Sequence, residues 1–408
     1  MLILHIQKKF IELQKGLAIL GDSKKVANLN EDIILLVGMV ESSHFQRWLS
    51  ITQQELPNRK ILVFASDRPR FSRSKLRILK QQHKDSQFYN LTPHGKVNFV
   101  SYYLLDSVFG LRWRAYFLAR LIKRHKPAII HFHETQHAAY LYNLIFSHRS
   151  IPNNSKKIIS TWGSDLTLYS WVEGHQPQIR CALGWTDVLT TEKMSEREDA
   201  ERLGFKGDFL SPVYISLGRA ESEFRAVSKP SSRNIVMVKG YQDNPGRALN
   251  ALYAISQLEK ELNGYEVLVY SASESTRIQV EVLRNRNSIN IRCLDKISHA
   301  EMQELFCKAR ISIGLAISDG LPGALLEAMQ AGAFPIQSEN SGVGEFIVHG
   351  ESGFVVNPWD LDSITENLKH ALINDHLVDA AVDINRQVLI NKYSLSQGIA
   401  KLHSLYNI

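Results

Sequence analysis

Short runs of branched apolar residues recur along this chain, and between them lie stretches whose apolar positions return every three or four residues. The runs predict strands at 33–37, 60–65, 97–100, 128–132, 157–161 and 188–190, and again at 234–238, 266–270, 289–293, 311–316, 333–337 and 354–356. The intervening pattern predicts helices such as 45–56, 247–261, 300–308 and 325–331. Strands that alternate with helices in this way predict an α/β protein built from parallel, doubly wound sheets. A chain of 408 residues exceeds one ordinary core. The turn-forming segment Lys229-Pro230-Ser231-Ser232, inside 221–233, supplies a break, so the expected domains are 1–225 and 226–384, followed by a last segment, 385–408. Residues 1–20 are helix-like and have no assigned role.

Composition narrows the class. Apolar residues make up 44% and charged residues 22%, as in a globular chain. The three cysteines, Cys181, Cys293 and Cys307, form no CxxC pair, which argues against a disulfide framework and a cysteine zinc site. Lys8, Lys9, Glu12 and Lys15 interrupt the first apolar stretch, and no run is long enough to span a bilayer. A cytoplasmic protein, or one held at the inner face of a membrane, is therefore expected.

Charge adds a direction. The net charge of +7 divides unevenly: 28 basic against 17 acidic residues over 1–200, and 20 against 24 over 201–408. Two basic segments dominate the first half, 68–84 and 112–126. The second interleaves Trp113, Tyr116, Phe117, Leu118, Leu121 and Ile122 with its cations, as an amphipathic helix does. A solvated face explains such a helix as well as an anionic lipid or lipid-linked substrate does.

Ligands of doubly wound sheets bind beyond the carboxyl ends of the strands, and the polar residues of interest fall there. Gly38 follows the first strand. His133 closes Ala128-Ile129-Ile130-His131-Phe132, Gly163-Ser164-Asp165 follows the next strand, and Lys239-Gly240 opens the second half. Asp319-Gly320 follows the run 311–316. This predicts one cleft lined from both halves. The richest stretch is Ser318-Asp319-Gly320-Leu321-Pro322-Gly323-Ala324-Leu325-Leu326-Glu327-Ala328-Met329. A helix starting near Pro322 or Gly323 aims backbone amides at this turn. Asp319 could serve only as a helix cap. Glu327, set among apolar neighbours, needs partners, and a ribose diol offers two hydroxyls.

Asp319 and Glu327, with Ala331-Gly332-Ala333-Phe334-Pro335-Ile336 and the following Gly342-Val343-Gly344-Glu345 to Gly353-Phe354 segment, resemble the retaining glycosyltransferases of family four. Gly38, His131-Phe132-His133-Glu134, Gly163-Ser164-Asp165, Ser216-Leu217-Gly218 with Phe224, and Lys239-Gly240 with Arg247 follow in the expected order. The resemblance covers about residues 31–408 and is sharpest after Lys239. It implies the GT-B fold, two Rossmann-like domains facing a cleft, with the C-terminal domain holding a nucleotide-diphosphate sugar and 385–408 crossing back. It implies that Glu327 binds ribose, that Asp319 contacts the donor sugar, and that Gly38, Gly320, Gly323, Ala324 and Leu325 line the donor. Lys239 and Arg247 become the cations on the leaving diphosphate, which needs such charges where no metal acts. His133 becomes the catalytic histidine, and Gly163 and Asp165 lie on the acceptor side. The period-2 rule puts His131 on the same face as His133, so one of the two serves as a structural donor.

Two literal motifs point elsewhere. His133-Glu134-Thr135-Gln136-His137 is an H-E-x-x-H, but zinc proteases need both histidines on one helix, and the apolar run predicts a strand ending at His133. Asp360-Leu361-Asp362 is a D-x-D, but it precedes a helical pattern and reads as a cap. Two residues depart from the family: Asp319 stands where Glu is usual, and Trp162 where His is common. The expected function is transfer of a hexose-type sugar to an acceptor hydroxyl, with retention, in polysaccharide or lipid-linked glycan synthesis. No cofactor and no catalytic metal is expected, with a nucleotide sugar as co-substrate. The expected partners are a glycan or lipid-linked acceptor and an anionic membrane surface at the basic domain, and not nucleic acid. The alternatives are a GT-B nucleotide-sugar epimerase or hydrolase and a non-catalytic nucleotide-sugar binding protein.

Overall fold

The structure, a computed structural model, describes residues 30–67, 73–90, 110–146, 154–214, 228–243 and 245–406. The chain divides into two compact units: residues 1–216 with 399–408, and residues 217–398. The expected strand at 97–100, the segment 1–20, Ser216-Leu217-Gly218 and Phe224 lie outside the described residues.

The first unit is built on seven parallel strands, β1 (Asn30–Gly38), β2 (Lys60–Ala65), β3 (Gln87–Tyr89), β4 (Pro127–His133), β5 (Lys156–Ser160), β6 (Val188–Thr190) and β7 (Asp208–Leu210). Their order is β3-β2-β1-β4-β5-β6-β7. Ile33, Leu35 and Val37 face one way and Ile34 and Leu36 the other, and none is more than 3% exposed. The sheet is therefore covered on both faces, as all-parallel sheets require. One face is covered by the helices Leu111–His125, Tyr140–Phe146 and His175–Trp185 through Leu118, Ile122, Leu141, Ile145, Ile179 and Leu183. Each such leucine or isoleucine contributes roughly 1.5–3 kcal/mol of burial. The helix Leu395–Tyr406 ends in this unit with Leu402, Leu405 and Tyr406 buried.

The second unit has six parallel strands, β8 (Ile235–Lys239), β9 (Glu266–Tyr270), β10 (Ile291–Cys293), β11 (Ala309–Gly314), β12 (Phe334–Ser338) and β13 (Phe354–Val356), ordered β10-β9-β8-β11-β12-β13. Arg310, 1% exposed, sits inside β11. Its guanidinium donates to the Ala371 carbonyl at 3.1 Å and to Asp375 Oδ1 at 2.7 Å, which fastens the junction of helices Leu361–Ile373 and Asp375–Tyr393 to the sheet. A buried cation is tolerable only with such partners.

In both sheets the chain builds outward on one side and then returns to the middle, so the strand order reverses between β1 and β4 and between β8 and β11. These reversal points are where a doubly wound sheet leaves a crevice for a ligand.

The expected end of the second domain shifts, and two short strands join the first sheet. The helix Asp375–Tyr393 runs through 385 without a break, and buried Asn385 donates to the Ser352 carbonyl at 2.8 Å, so the second unit extends to 398 rather than 384. The short strands β3 and β7 have three residues each at opposite sheet edges, too few to leave a periodic signal. In the basic helix Leu111–His125, Arg112, Arg120, Lys123 and Arg124 are exposed beside Leu111 and Phe117. Arg114 turns inward instead and donates to the Ser66 carbonyl at 2.8 Å. Among the described residues no helix is long and apolar enough to cross a membrane.

Candidate active site

In the second unit the predicted residues converge on the carboxyl edge of β8 and β11. Lys239 ends β8, and Gly240 follows in a space that admits no side chain: a Cβ there would lie 2.7 Å from the Ala272 Cα. The chain then folds back on β11. The Arg247 amide donates to the Leu315 carbonyl at 3.0 Å, and the Ile317 amide to the Pro245 carbonyl at 2.8 Å. This short zipper places residues 245–247 beside the 318–323 turn.

Within that turn, Asp319 Oδ1 accepts the Gly320 amide at 2.9 Å, and Asp319 Oδ2 lies 3.2 Å from Lys239 Nζ. Both side chains of the pair are 30% exposed. The helix Gly323–Gln330 begins here with Pro322 as its N-cap. Pro322 presents no side-chain acceptor, and its carbonyl accepts the amides of Leu325 and Leu326 at 3.0 and 3.3 Å. Gly323 and Ala324 thus lead a helix N-terminus, whose first amides have no intrahelical acceptor and whose dipole favours an anion. Leu325 differs from its expected place on the ligand: its side chain is wholly buried and its amide is engaged.

Gly323, Ala324, Glu327 and Gln330 are only partly buried, whereas Leu325, Leu326, Ala328 and Met329 pack inward. The helical period thus separates a core face from a functional face. Glu327 is 15% exposed and its Oε1 lies 2.8 Å from His299 Nε2. His299 is the first residue of the helix His299–Lys308, whose start is fixed by a capping box between Ser298 and Glu301. Burial pushes the Tyr270 hydroxyl upward, and the nearby charge of Glu327 adds to the shift. His299 and Tyr270 were absent from the sequence expectation. The Ser-x-x-Glu box could have located the helix start, but nothing local ties His299 to a carboxylate 28 positions on.

Arg247 takes a different partner from Lys239. Its guanidinium carbon lies 4.5 Å from the centroid of the Trp359 ring, and Nη1 donates to the Gly246 carbonyl at 2.6 Å. Asp360, the first acid of the D-x-D, accepts the Ser363 amide at 3.0 Å and caps the next helix.

In the first unit, the edge between β1 and β4 is aromatic and dry. The His131 and His133 rings lie 4.1 Å apart on one face, and Phe132 packs on the other against Tyr142 and Trp185. The two histidines have different surroundings. His131 Nδ1 meets the Tyr406 hydroxyl at 2.6 Å and Nε2 meets Ser160 Oγ at 2.7 Å, so both nitrogens are bound and the residue is structural. The Trp48 indole N–H donates to the same Tyr406 oxygen at 3.0 Å. His133 is also fully buried, between Phe45, Trp48 and Trp162, yet neither ring nitrogen has a hydrogen-bond partner. Burial pushes its pKa down to about 3, so the imidazole is neutral. A buried polar group left in this state marks a place where a partner is due.

Gly38 closes this edge by close approach. A Cβ at 38 would lie 2.6 Å from the Phe45 ring and 3.0 Å from the His133 Cβ. Gly163 has a φ of +60° and donates to Glu192 Oε2 at 3.2 Å. Asp165 is 1% exposed, and its oxygens accept the Thr135 amide and hydroxyl at 3.2 and 2.7 Å and the Trp162 amide at 2.6 Å. Its carboxylate ties two loops together and does not face outward. Glu134 is engaged by the amides of His137 and Ala138 at 2.8 and 3.0 Å. His133 ends a strand and Glu134 caps a single turn, so the H-E-x-x-H lacks the one-helix geometry of a zinc protease. Among the described residues no cluster of three potential metal ligands occurs.

Comparison with known proteins agrees with this architecture. A glycosyltransferase from Rickettsia africae matches with 14% identity over 92% of this chain and 98% of its own, at a TM-score of 0.66. HepE of Anabaena, solved in complex with UDP and glucose, matches with 11% identity over 91% and 98%, at 0.67. Sucrose-phosphate synthase from Thermosynechococcus elongatus matches with 13% identity over 92% and 98%, at 0.69. A search of the curated proteins finds no match. The fold is thus GT-B. Residues 220–388 match the family of glycosyl transferases group 1, so the family's sequence pattern lies in the second unit.

Proposed function

We propose that the protein is a retaining glycosyltransferase of the family-four type, which moves a hexose-type sugar from a nucleotide-diphosphate donor to a hydroxyl of a glycan or lipid-linked acceptor. The observation that carries this reading is the 318–327 segment. The end of β8, the 318–323 turn and the helix that follows bring together the Lys239–Asp319 pair, the leading amides of a helix and the half-buried carboxylate of Glu327. Glu327 takes the ribose hydroxyls, Asp319 the donor sugar, and Lys239, Arg247 and the amides of Gly323 and Ala324 the diphosphate. These charges stand where another enzyme would use a divalent metal. HepE of Anabaena was solved with UDP and with UDP-glucose, which supports a nucleotide sugar as donor.

In the reaction, the bond from the anomeric carbon to the phosphate oxygen breaks as the acceptor oxygen bonds to the same face. The acceptor proton passes to the leaving phosphate, and a nucleoside diphosphate departs. His133, neutral and unpartnered, offers one ring N–H and one lone pair to a sugar hydroxyl without adding charge. The first unit carries the acceptor, and its exposed Arg112, Arg120, Lys123 and Arg124 favour an anionic one, or an anionic membrane surface. Incubation with UDP-, GDP- and ADP-sugars tests the reading. Product formation should depend on an added acceptor and survive EDTA, whereas release of free sugar alone would favour a hydrolase.

A further inference from the structure

Trp359 is 60% exposed and lies on the turn between β13 and the helix Leu361–Ile373. The turn is held from several sides. The Trp359 amide donates to Asn357 Oδ1 at 2.9 Å, the Asp360 amide to the Asn357 carbonyl at 3.1 Å, and Asn250 Nδ2 to the Pro358 carbonyl at 2.6 Å. A single exposed apolar side chain needs no explanation by itself. This indole, however, is covered by the guanidinium of Arg247, 4.5 Å from the ring centroid. The backbone of Arg247 is itself fixed, by its amide on the Leu315 carbonyl and by the neighbouring bridge between Gly246 and Ala316.

An arginine side chain free in water samples many rotamers, and a ligand that uses it must first order it. Stacking on an indole removes that freedom in advance. It uses the flat face of the guanidinium and so fixes the plane in which its N–H groups lie, one of them already on the Gly246 carbonyl. We propose that Trp359 is a positioning residue for the donor: its indole holds the Arg247 guanidinium ready for the diphosphate. This rests on the reading of Arg247 given above.

The test is a double-mutant cycle read by calorimetric binding of UDP, GDP, ADP, CDP and dTDP, with the matching monophosphates alongside. Trp359→Ala should weaken the best-bound diphosphate by about 2- to 5-fold, the factor of a cation–π contact at a partly exposed site. It should leave the monophosphate unchanged, and Trp359→Phe should restore most of the loss. The double variant Arg247→Ala/Trp359→Ala should bind no more weakly than Arg247→Ala alone. Losses that multiply in the double variant overturn the proposal, as does an equal loss for the monophosphate, which would mean that Trp359 contacts the nucleoside. If a diphosphate binds but Arg247→Ala has no effect, the positioning role fails and the donor reading stands. If none of the five binds, the donor reading fails and takes the positioning role with it.

Discussion

The two sheets share a topology and differ at the equivalent edge. At the β8–β11 reversal the edge is ionic and partly wet, with Lys239 against Asp319 and His299 against Glu327. At the β1–β4 reversal it is aromatic and dry, with His133 enclosed by Phe45, Trp48 and Trp162 and both its nitrogens unbound. Nearly identical backbone plans thus carry opposite electrostatics, because two or three side chains at each strand end decide what the crevice can hold. An ionic edge suits a charged ligand, and a dry edge suits a neutral ring whose hydroxyls must find partners.

The largest test of this contrast removes charge from the ionic edge. Lys239→Met should lower kcat by about 10²–10³-fold, the range for losing one electrostatic contributor to a transition state, and the measurement is steady-state transfer. The matching His131→Phe change at the dry edge should leave nucleotide affinity intact. Glu327→Ala comes next: it should weaken binding of the nucleoside diphosphate by about 10- to 100-fold, as for loss of charged hydrogen bonds, measured by calorimetry. If Glu327 serves only its pair with His299, affinity will not change.

How much of this contrast could be read from the chain is itself uneven. The central strands β1, β4, β8 and β11 were legible because their apolar runs are uninterrupted, and the Gly/Pro turn at 320–323 announced a helix start. Asp319, Glu327 and Lys239 were legible as strand-end or helix-face residues in an apolar setting. The partners were not. Tyr406 reaches His131 across 275 positions and Trp359 reaches Arg247 across 112, and no local pattern encodes such contacts. Which histidine of His131-Phe132-His133 is structural was also hidden, because it depends on where Tyr406 and Ser160 lie in space. Asp165 was expected at the acceptor, yet its hydrogen bonds to Thr135 and Trp162 turn it inward.

Smaller effects sharpen the dry edge. The His133 pKa, lowered by burial to about 3, lies below its unfolded value near 6.5, so unfolding takes up a proton between these pH values. Stability from this residue is therefore present above pH 6.5 and is lost as pH falls, by at most about 1.4 kcal/mol per pH unit. Buried Glu196, raised to about 7, contributes with the opposite sign, so the reading is the difference between wild type and His133→Gln. In urea melts the variant should gain on wild type from pH 6.5 to about pH 4. A difference independent of pH would mean that His133 is solvated. The smallest expected effect is at the departure from the family: Asp319→Glu keeps the negative charge beside Lys239 and should change kcat by less than about 5-fold, the scale of a partly exposed ion pair.

The central claim is that the second unit holds the nucleotide-sugar donor, with Glu327 on its ribose. The most direct measurement is thermal unfolding of wild type and Glu327→Ala with UDP-, GDP- and ADP-sugars. At about 100 times the dissociation constant one donor should stabilise the wild type by ~2.7 kcal/mol, and Glu327→Ala should lose most of that gain. Equal stabilisation of both proteins, or of neither by any donor, would contradict the account.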